Sequence, residues 1–250
     1  MSAWPFGTLR ASGLAEEQPC PGADRIPCAM LAETPLPSCQ PAVHGQASQP
    51  LERQGAQTLP GWFGKLPGMG DFAHRRLPAP FRENWDSWLQ DGLMGLRARH
   101  ADDWTARYLE SPLWCFTLGQ DTVDANAWIG VLMPSVDGVG RYFPFVLARP
   151  FDVRLDATAW WTCAARAALE ALNADFDAEC FEAWLAQCFS QTHAPGEDAP
   201  PPAGQSLWCA QLQDDSGLQL AFAGLPRGAR FDVLFGFAQD AQPRSRELPP

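Results

Sequence analysis

Two apolar runs joined by a polar loop lie near the middle of the chain, in Ala127-Trp-Ile-Gly-Val-Leu-Met-Pro-Ser-Val-Asp-Gly-Val-Gly-Arg-Tyr-Phe-Pro-Phe-Val-Leu-Ala-Arg149. The runs Ala127–Met133 and Tyr142–Arg149 are rich in aromatic and branched side chains and are bounded by turn-forming residues, which is typical of β-strands. A similar run, Leu113–Leu118, comes just before them. We therefore predict three successive strands, with the polar loop 134–141 joining the last two.

Helical periodicity surrounds these strands. From Pro80 onward apolar side chains recur at steps of three and four residues, which predicts a helix with one apolar face. A short helix is predicted at about 102–109, and two more at about 157–173 and 176–190. The members of the first apolar face are Phe81, Trp85, Trp88, Leu89, Leu93 and Leu96.

Strand patterns recur at both ends of the folded part. A short strand is predicted over 61–65, followed by a structured loop rich in Gly and Pro. Alternating apolar residues on both sides of Asp214-Asp-Ser-Gly217 predict a hairpin near the end, and 231–237 fits a strand or a helical turn. Strands, then helices, then strands predict a mixed α+β fold, a layered sandwich whose mixed, largely antiparallel sheet is flanked by helices.

Composition and charge indicate where the folded domain begins and which classes of partner are disfavoured. Residues 1–58 are rich in Pro, Gly, Ser and Gln without apolar periodicity, so we predict a disordered leader there and a single domain over 59–250. The net charge of -11 disfavours binding to nucleic acid. Neither a signal peptide nor a run long enough for a membrane helix is present, so we expect a cytoplasmic protein without direct membrane insertion.

A Gly-rich segment opens the folded part, Gly61-Trp-Phe-Gly-Lys-Leu-Pro-Gly-Met-Gly-Asp-Phe72. Lys65 follows Gly64, but the hydroxyl residue of a phosphate-binding loop is missing and Leu66-Pro67 stands in its place. Nucleotide binding is therefore not expected. Lys65 is the chain's one lysine, and we expect a tight loop pinned by a Lys65–Asp71 or an Arg–Asp pair, which could still be a recognition surface.

The 134–141 loop carries the second group of polar residues, Ser135, Asp137 and Arg141. A serine nucleophile would need a base and an oxyanion hole, and no Gly-x-Ser-x-Gly elbow surrounds Ser135. The alternative is that Ser135 and Asp137 satisfy backbone N–H groups of the turn while Arg141 pairs with Asp137. No spacing of Cys and His matches a metal site, so no metal is expected.

Several of these motifs together resemble the TagF (also called ImpM) family of bacterial type VI secretion. The resemblance rests on five stretches in order, within 61–150: Gly64 to Phe72 with Arg76-Leu-Pro, Trp85-Asp-Ser-Trp-Leu89, Tyr108 to Trp114, Gly130 to Asp137, and Val139 to Pro144. Residues 151–250 resemble the family only in their helix-then-strand layout. The motif residues carried over as structural are Gly64, Pro67, Gly70, Trp85, Asp86, Trp88, Pro134, Gly140 and Pro144.

The resemblance implies a layered α/β sandwich and a cytoplasmic accessory protein with no catalytic activity and no cofactor. It further implies a post-translational repressor of type VI secretion, with a forkhead-associated (Fha-like) scaffold protein as the partner. We expect the 64–76 and 134–141 loops to meet at one end of the sheet and to form a partner-binding patch. Its polar members would be Lys65, Asp71, Arg76, Ser135, Asp137 and Arg141. A hydrolase or phosphatase-like enzyme using Ser135 and Asp137, and a structural baseplate accessory, are the alternatives.

Overall fold

A computed structural model describes residues 59–152, 154–190, 196–210 and 218–237, and shows a seven-stranded antiparallel sheet with five helices. This confirms the predicted mixed α+β class. The strands are β1 (Gly61–Gly64), β2 (Ala73–Arg75), β3 (Trp114–Leu118), β4 (Trp128–Met133), β5 (Phe145–Pro150), β6 (Gln205–Ala210) and β7 (Gln219–Ala223). The helices are α1 (Ala79–Arg99), α2 (Trp104–Glu110), α3 (Ala157–Asn173), α4 (Ala178–Cys188) and α5 (Ala229–Val233).

The sheet is the middle layer of three. Along β4 the side chains alternate between two separate cores: Trp128 and Leu132 pack with α1 and α5, whereas Ile129, Val131 and Met133 pack with α3 and α4. Successive side chains of a strand point to opposite faces, so a strand covered on both faces reads as one continuous apolar run. This is why the central runs of the sequence show no polar alternation.

The predicted apolar face of the first helix is confirmed, since all six of its members are buried in α1. The third predicted helix, 157–173, is also confirmed and is capped by the Asp156 carboxylate, which accepts from the Ala159 N–H. The open choice at 231–237 resolves to the helical turn of α5. The predicted leader 1–58 and the predicted turn at 214–217 lie outside the described residues.

Strand order brings the two loops together. The sheet runs β2-β1-β5-β4-β3-β6-β7, so β1 and β5 are antiparallel neighbours with Phe63 opposite Val146. The end of β1 therefore lies beside the start of β5, and the segments 65–72 and 134–144 meet there. β5 begins at Phe145 and not at the predicted Tyr142, because Tyr142 instead forms an isolated bridge with Val136 inside the loop.

Strand β2 was not predicted. It has three residues and lies within the Gly- and Pro-rich segment that the sequence indicates as a loop, so it is too short for a period of two to show. It pairs with β1 and forms one edge of the sheet. Within the described ranges, none of the helices combines the length and the apolar character that crossing a bilayer requires.

Candidate functional site

The site is the junction of the 65–72 and 134–144 loops, which begins at Gly64. Gly64 has φ +134°, and a Cβ there would stand 2.3 Å from the Pro144 carbonyl oxygen and 2.9 Å from the Phe145 Cα. Any side chain would therefore clash with backbone that cannot give way. The glycine lets the first loop leave β1 directly against the entry to β5.

Lys65 and Asp137 form a buried ion pair between the loops. Lys65 Nζ donates to Asp137 Oδ2 at 2.8 Å, and Lys65 is only 4% exposed. Of the two pairs predicted for this loop, Lys65–Asp71 is wrong, because Asp71 is exposed while the Lys65 side chain turns inward to Asp137. The alternative, an Arg–Asp pair, is present between Arg141 and Asp71. A compact ammonium suits this enclosed position, where the pair joins segments 72 residues apart in sequence.

The Asp137 carboxylate collects four donors. Besides Lys65, its oxygens accept from Arg141 Nε at 2.7 Å and from the backbone N–H groups of Val139 and Arg141 at 3.1 and 2.8 Å. Burial by itself would raise the pKa of this carboxyl, but the hydrogen bonds from Lys65, Arg141 and Val139 outweigh it and hold the pKa well below its ordinary range. Asp137 is thus a charged anchor, and the predicted pairing with Arg141 is confirmed.

Ser135 is tied into the same junction by two partners. Its hydroxyl donates to the Lys65 carbonyl oxygen at 2.6 Å. The buried Tyr108 hydroxyl donates to the Ser135 carbonyl at 2.9 Å and accepts from the Ser135 N–H at 3.0 Å. The expectation that the Ser135 side chain accepts from turn N–H groups is wrong, because the hydroxyl is instead a donor to the first loop.

Arg141 continues the junction to the surface. Its Nη2 donates to the Gly70 carbonyl at 2.8 Å and lies 3.7 Å from Asp71 Oδ1. The two loops are therefore in direct contact at one end of the sheet, as predicted. Of the six residues proposed as polar members, only Asp71 and Arg141 are exposed at this junction, because Lys65, Ser135 and Asp137 are buried beneath it.

Two apolar side chains project from the junction. Phe72 is 46% exposed and Val139 72% exposed, one from each loop. Phe72 stacks on Phe63 at 5.9 Å, meets Phe143 edge-on at 4.7 Å, and has Lys65 Nζ 4.7 Å from its ring centroid. We call the exposed Asp71, Phe72, Val139 and Arg141 the double-loop surface.

Arg76 does not belong to this surface. Its guanidinium makes two hydrogen bonds to Glu182 of α4, at 2.6 and 2.9 Å, and a third to the Pro60 carbonyl. Trp62 Nε1 also donates to Glu182 Oε1 at 2.5 Å. The Arg76 backbone is left-handed (φ +58°), which ends β2 and directs the side chain toward α4. Arg76 thus holds the sheet edge to the other helical layer.

The remaining motif residues have structural surroundings. Trp85 and Trp88 are buried in the α1 core, whereas Asp86 is half-buried and accepts from Gln90. Gly140 has φ +82° in open space, as its turn requires. Pro67 and Pro134 are half-buried on the two loops, Pro144 is buried, and a Cβ at Gly70 would meet nothing within 4 Å.

The polar groups at the junction hold the two loops together and are not arranged for catalysis. The Ser135 proton is directed to a carbonyl oxygen, which cannot act as the general base that a serine nucleophile needs. Asp137 is saturated by donors. No group of three or more potential metal ligands occurs in the part of the chain that the structure describes. What reaches solvent is two apolar side chains and an Arg–Asp pair on a fixed support.

Sequence reasoning missed the role of Tyr108 and the exposure of Phe72 and Val139. Tyr108 lies in a quoted motif, but its contact with Ser135 spans 27 residues and depends on where α2 packs. Aromatic residues are usually buried, so nothing in the pattern singles out Phe72. Their position in loops was the available signal, because Phe72 immediately precedes β2 and Val139 lies in the 134–144 loop.

A protein family and a solved structure are similar to this chain. A family model described as the TagF N-terminal domain, type VI secretion system-associated, matches residues 61–188, which extends beyond the motif-bearing part 61–150 through α4. The solved structure of PA0076 from Pseudomonas aeruginosa PAO1 is similar to this chain at 28% identity with a TM-score of 0.63. The similarity covers 76% of this chain and all of that one. No curated protein matches the sequence.

Proposed function

The chain belongs to the TagF family of type VI secretion-associated proteins, and from that premise we propose that it represses type VI secretion after translation by binding a forkhead-associated scaffold protein through the double-loop surface. It would act in the cytoplasm, without catalysing a reaction. Its accessory role in type VI secretion follows from the family; repression, the partner and the absence of catalysis are the proposal.

The observation that carries this proposal is the difference in burial between the charged and the apolar side chains of the two loops. Charged groups are buried below and hold the two loops in one arrangement, while Phe72 and Val139 stand exposed above them. Exposed apolar side chains on a preorganised support are typical of protein-binding surfaces, because little conformational entropy is lost when a partner covers them. The flanking Arg141 and Asp71 supply the polar rim that such surfaces usually have.

The absence of catalysis is supported by the state of the polar residues. A nucleophile has to reach its substrate, yet the Ser135 hydroxyl is buried and hydrogen-bonded to the Lys65 carbonyl. The low pKa of Asp137 makes it a poor proton acceptor, because a general base near neutral pH needs a pKa close to the working pH. Both residues serve the shape of the loops.

The binding test is a pull-down with the full chain as bait, from a lysate of the bacterium that produces it. We expect a forkhead-associated type VI protein to be recovered by the wild type and lost with Phe72→Ser plus Val139→Ser. The matched control is Met94→Ser plus Leu169→Ser, since Met94 and Leu169 are also exposed (68% and 42%) but lie on α1 and α3. Equal recovery by both double variants would rule out the double-loop surface.

The direction of regulation needs a second measurement. Deleting the gene should raise type VI secretion into the medium, and the wild-type chain but not the Phe72→Ser plus Val139→Ser variant should restore the lower level. Secretion that falls on deletion, together with co-purification of the chain with the baseplate in every growth state, would instead support the structural baseplate accessory.

A further inference from the structure

The β2 edge of the sheet has no strand beside it in the described part of the chain. β2 pairs with β1 on one side only and stands last in the strand order. His74 and Arg75 are exposed, and Ala73 is half-buried. The outer side of an edge strand presents backbone N–H and C=O groups, which can pair with an added strand. In β2 the Arg75 carbonyl already accepts from the Leu77 N–H at 2.8 Å, so pairing relies on the other groups.

Basic side chains flank this edge on both faces of the sheet. His74 lies opposite Phe63, which packs on the α1 side, and Arg82 Nη1 of α1 lies 3.2 Å from the His74 ring. Arg75 lies opposite Trp62, which packs on the α4 side. Directly opposed residues of antiparallel strands share a face. The cations Arg82 and Arg75 therefore lie on opposite faces.

Neither cation is neutralised by a contact in the described ranges. No carboxylate lies within ion-pair distance of Arg75 or Arg82 there. The neighbouring Glu182 and Asp71 are paired with Arg76 and Arg141, and Arg75 interacts with Glu182 only at longer range. The chain as a whole carries a net charge of -11. A local excess of positive charge at an open backbone edge, in an otherwise acidic protein, favours a ligand that is both extended and acidic.

We propose that the β2 edge binds an extended acidic segment of a partner protein by strand addition. The backbone of the segment pairs with Ala73–Arg75. Because successive side chains of a strand alternate between faces, consecutive acidic residues meet Arg82 on one face and Arg75 on the other. The opposite edge, Gln219–Ala223, carries no charged side chain and would not make this selection. The proposal does not depend on the partner being a forkhead-associated protein.

The test uses the full chain and a short fluorescent peptide of consecutive glutamates flanked by Thr and Val, with binding followed by anisotropy. Arg75→Ala plus Arg82→Ala should weaken binding by at least about fivefold, because two partly exposed charge pairs are lost. The matched control removes two exposed arginines beside the opposite edge, Arg227→Ala plus Arg230→Ala, and should leave affinity unchanged. Thermal melting of each variant checks that it is folded.

A second peptide separates strand addition from charge attraction alone. Methylating alternate backbone nitrogens keeps every glutamate but removes backbone donors, so it should abolish binding. No binding of the parent peptide, equal loss in both double variants, or undiminished binding of the methylated peptide would each overturn the proposal. These outcomes are independent of the pull-down, because the probe contains no scaffold protein.

Discussion

Asp137 and Asp232 are both buried carboxylates that each hold two basic groups, yet they join different parts of the molecule. Asp137 receives Lys65 and Arg141 and joins two loops at a sheet end. Asp232 receives Arg99 at 2.6 and 2.7 Å and His100 at 3.1 Å, and so fastens α5 to the end of α1.

The two sites differ in whether the basic side chain could be solvated if its carboxylate were removed. The Lys65 side chain is only 4% exposed, whereas the Arg99 side chain is 39% exposed and can be solvated. Asp137 also accepts two backbone N–H groups and so fixes the course of its loop. Two sites with similar composition therefore differ in consequence: one shapes a surface and the other secures a helix.

The largest expected effect comes from removing each carboxylate. Asp137→Ala leaves the Lys65 ammonium buried with no counter-charge and should lower the melting temperature by roughly 10 °C. Asp232→Ala should lower it by roughly 5 °C, because Arg99 can turn to solvent. Below both melting temperatures, partner recovery should fail for Asp137→Ala and persist for Asp232→Ala. Equal melting shifts in calorimetry, or equal recovery, would break the comparison.

A smaller effect on stability is expected from removing the Tyr108 hydroxyl, which lies beneath the 134–144 loop. Tyr108→Phe leaves the buried N–H and C=O of Ser135 without that partner and should cost about 2 kcal/mol in the free energy of unfolding. The chain's other tyrosine is the control: the Tyr142 hydroxyl has no hydrogen bond within the described residues, so Tyr142→Phe should be near neutral. Urea unfolding measures both, and matching losses would remove the role given to Tyr108.

Acid should weaken the Asp137 junction in a defined range. Because the folded pKa of Asp137 is below that of an unfolded aspartate, its stabilisation is complete above about pH 4 and is lost as pH falls toward the folded value. The melting temperature of the wild type should therefore decrease as the pH is lowered below about 4. The melting temperature of Asp137→Asn should decrease less steeply over the same range. Some slope will remain, since hydrogen bonds from Arg76 and Trp62 also lower the pKa of Glu182 against the effect of its burial. Identical slopes would contradict the assignment.

The smallest effect on stability is expected from removing Asp71, which lies at the polar rim of the double-loop surface. Asp71 is exposed and 3.7 Å from Arg141, so Asp71→Ala should change the free energy of unfolding by less than about 0.5 kcal/mol. Any effect should appear in the rate of partner association and in its dependence on salt. A large loss of stability by calorimetry would show that the rim also supports the loop.

The sequence by itself determined the local elements of this protein. The six buried residues of α1 and the span of α3 follow from a periodicity of 3.6 residues. The central strands follow from continuous runs of aromatic and branched residues that are bounded by turn formers. The meeting of the two motif loops was also predictable, but from a resemblance and not from physical chemistry.

The pair between Asp137 and Arg141 is local in sequence and was predicted. Only the tertiary structure decided the other charge pairs and which side chains reach solvent. Lys65 is closer in sequence to Asp71 than to Asp137, but the β1–β5 pairing places Asp137 beside it. Arg76 turns away to Glu182 for the same kind of reason, and β2 exists because β1 is there to pair with it. Such contacts depend on strand order and layer packing, which bring together residues whose separation along the chain carries no signal.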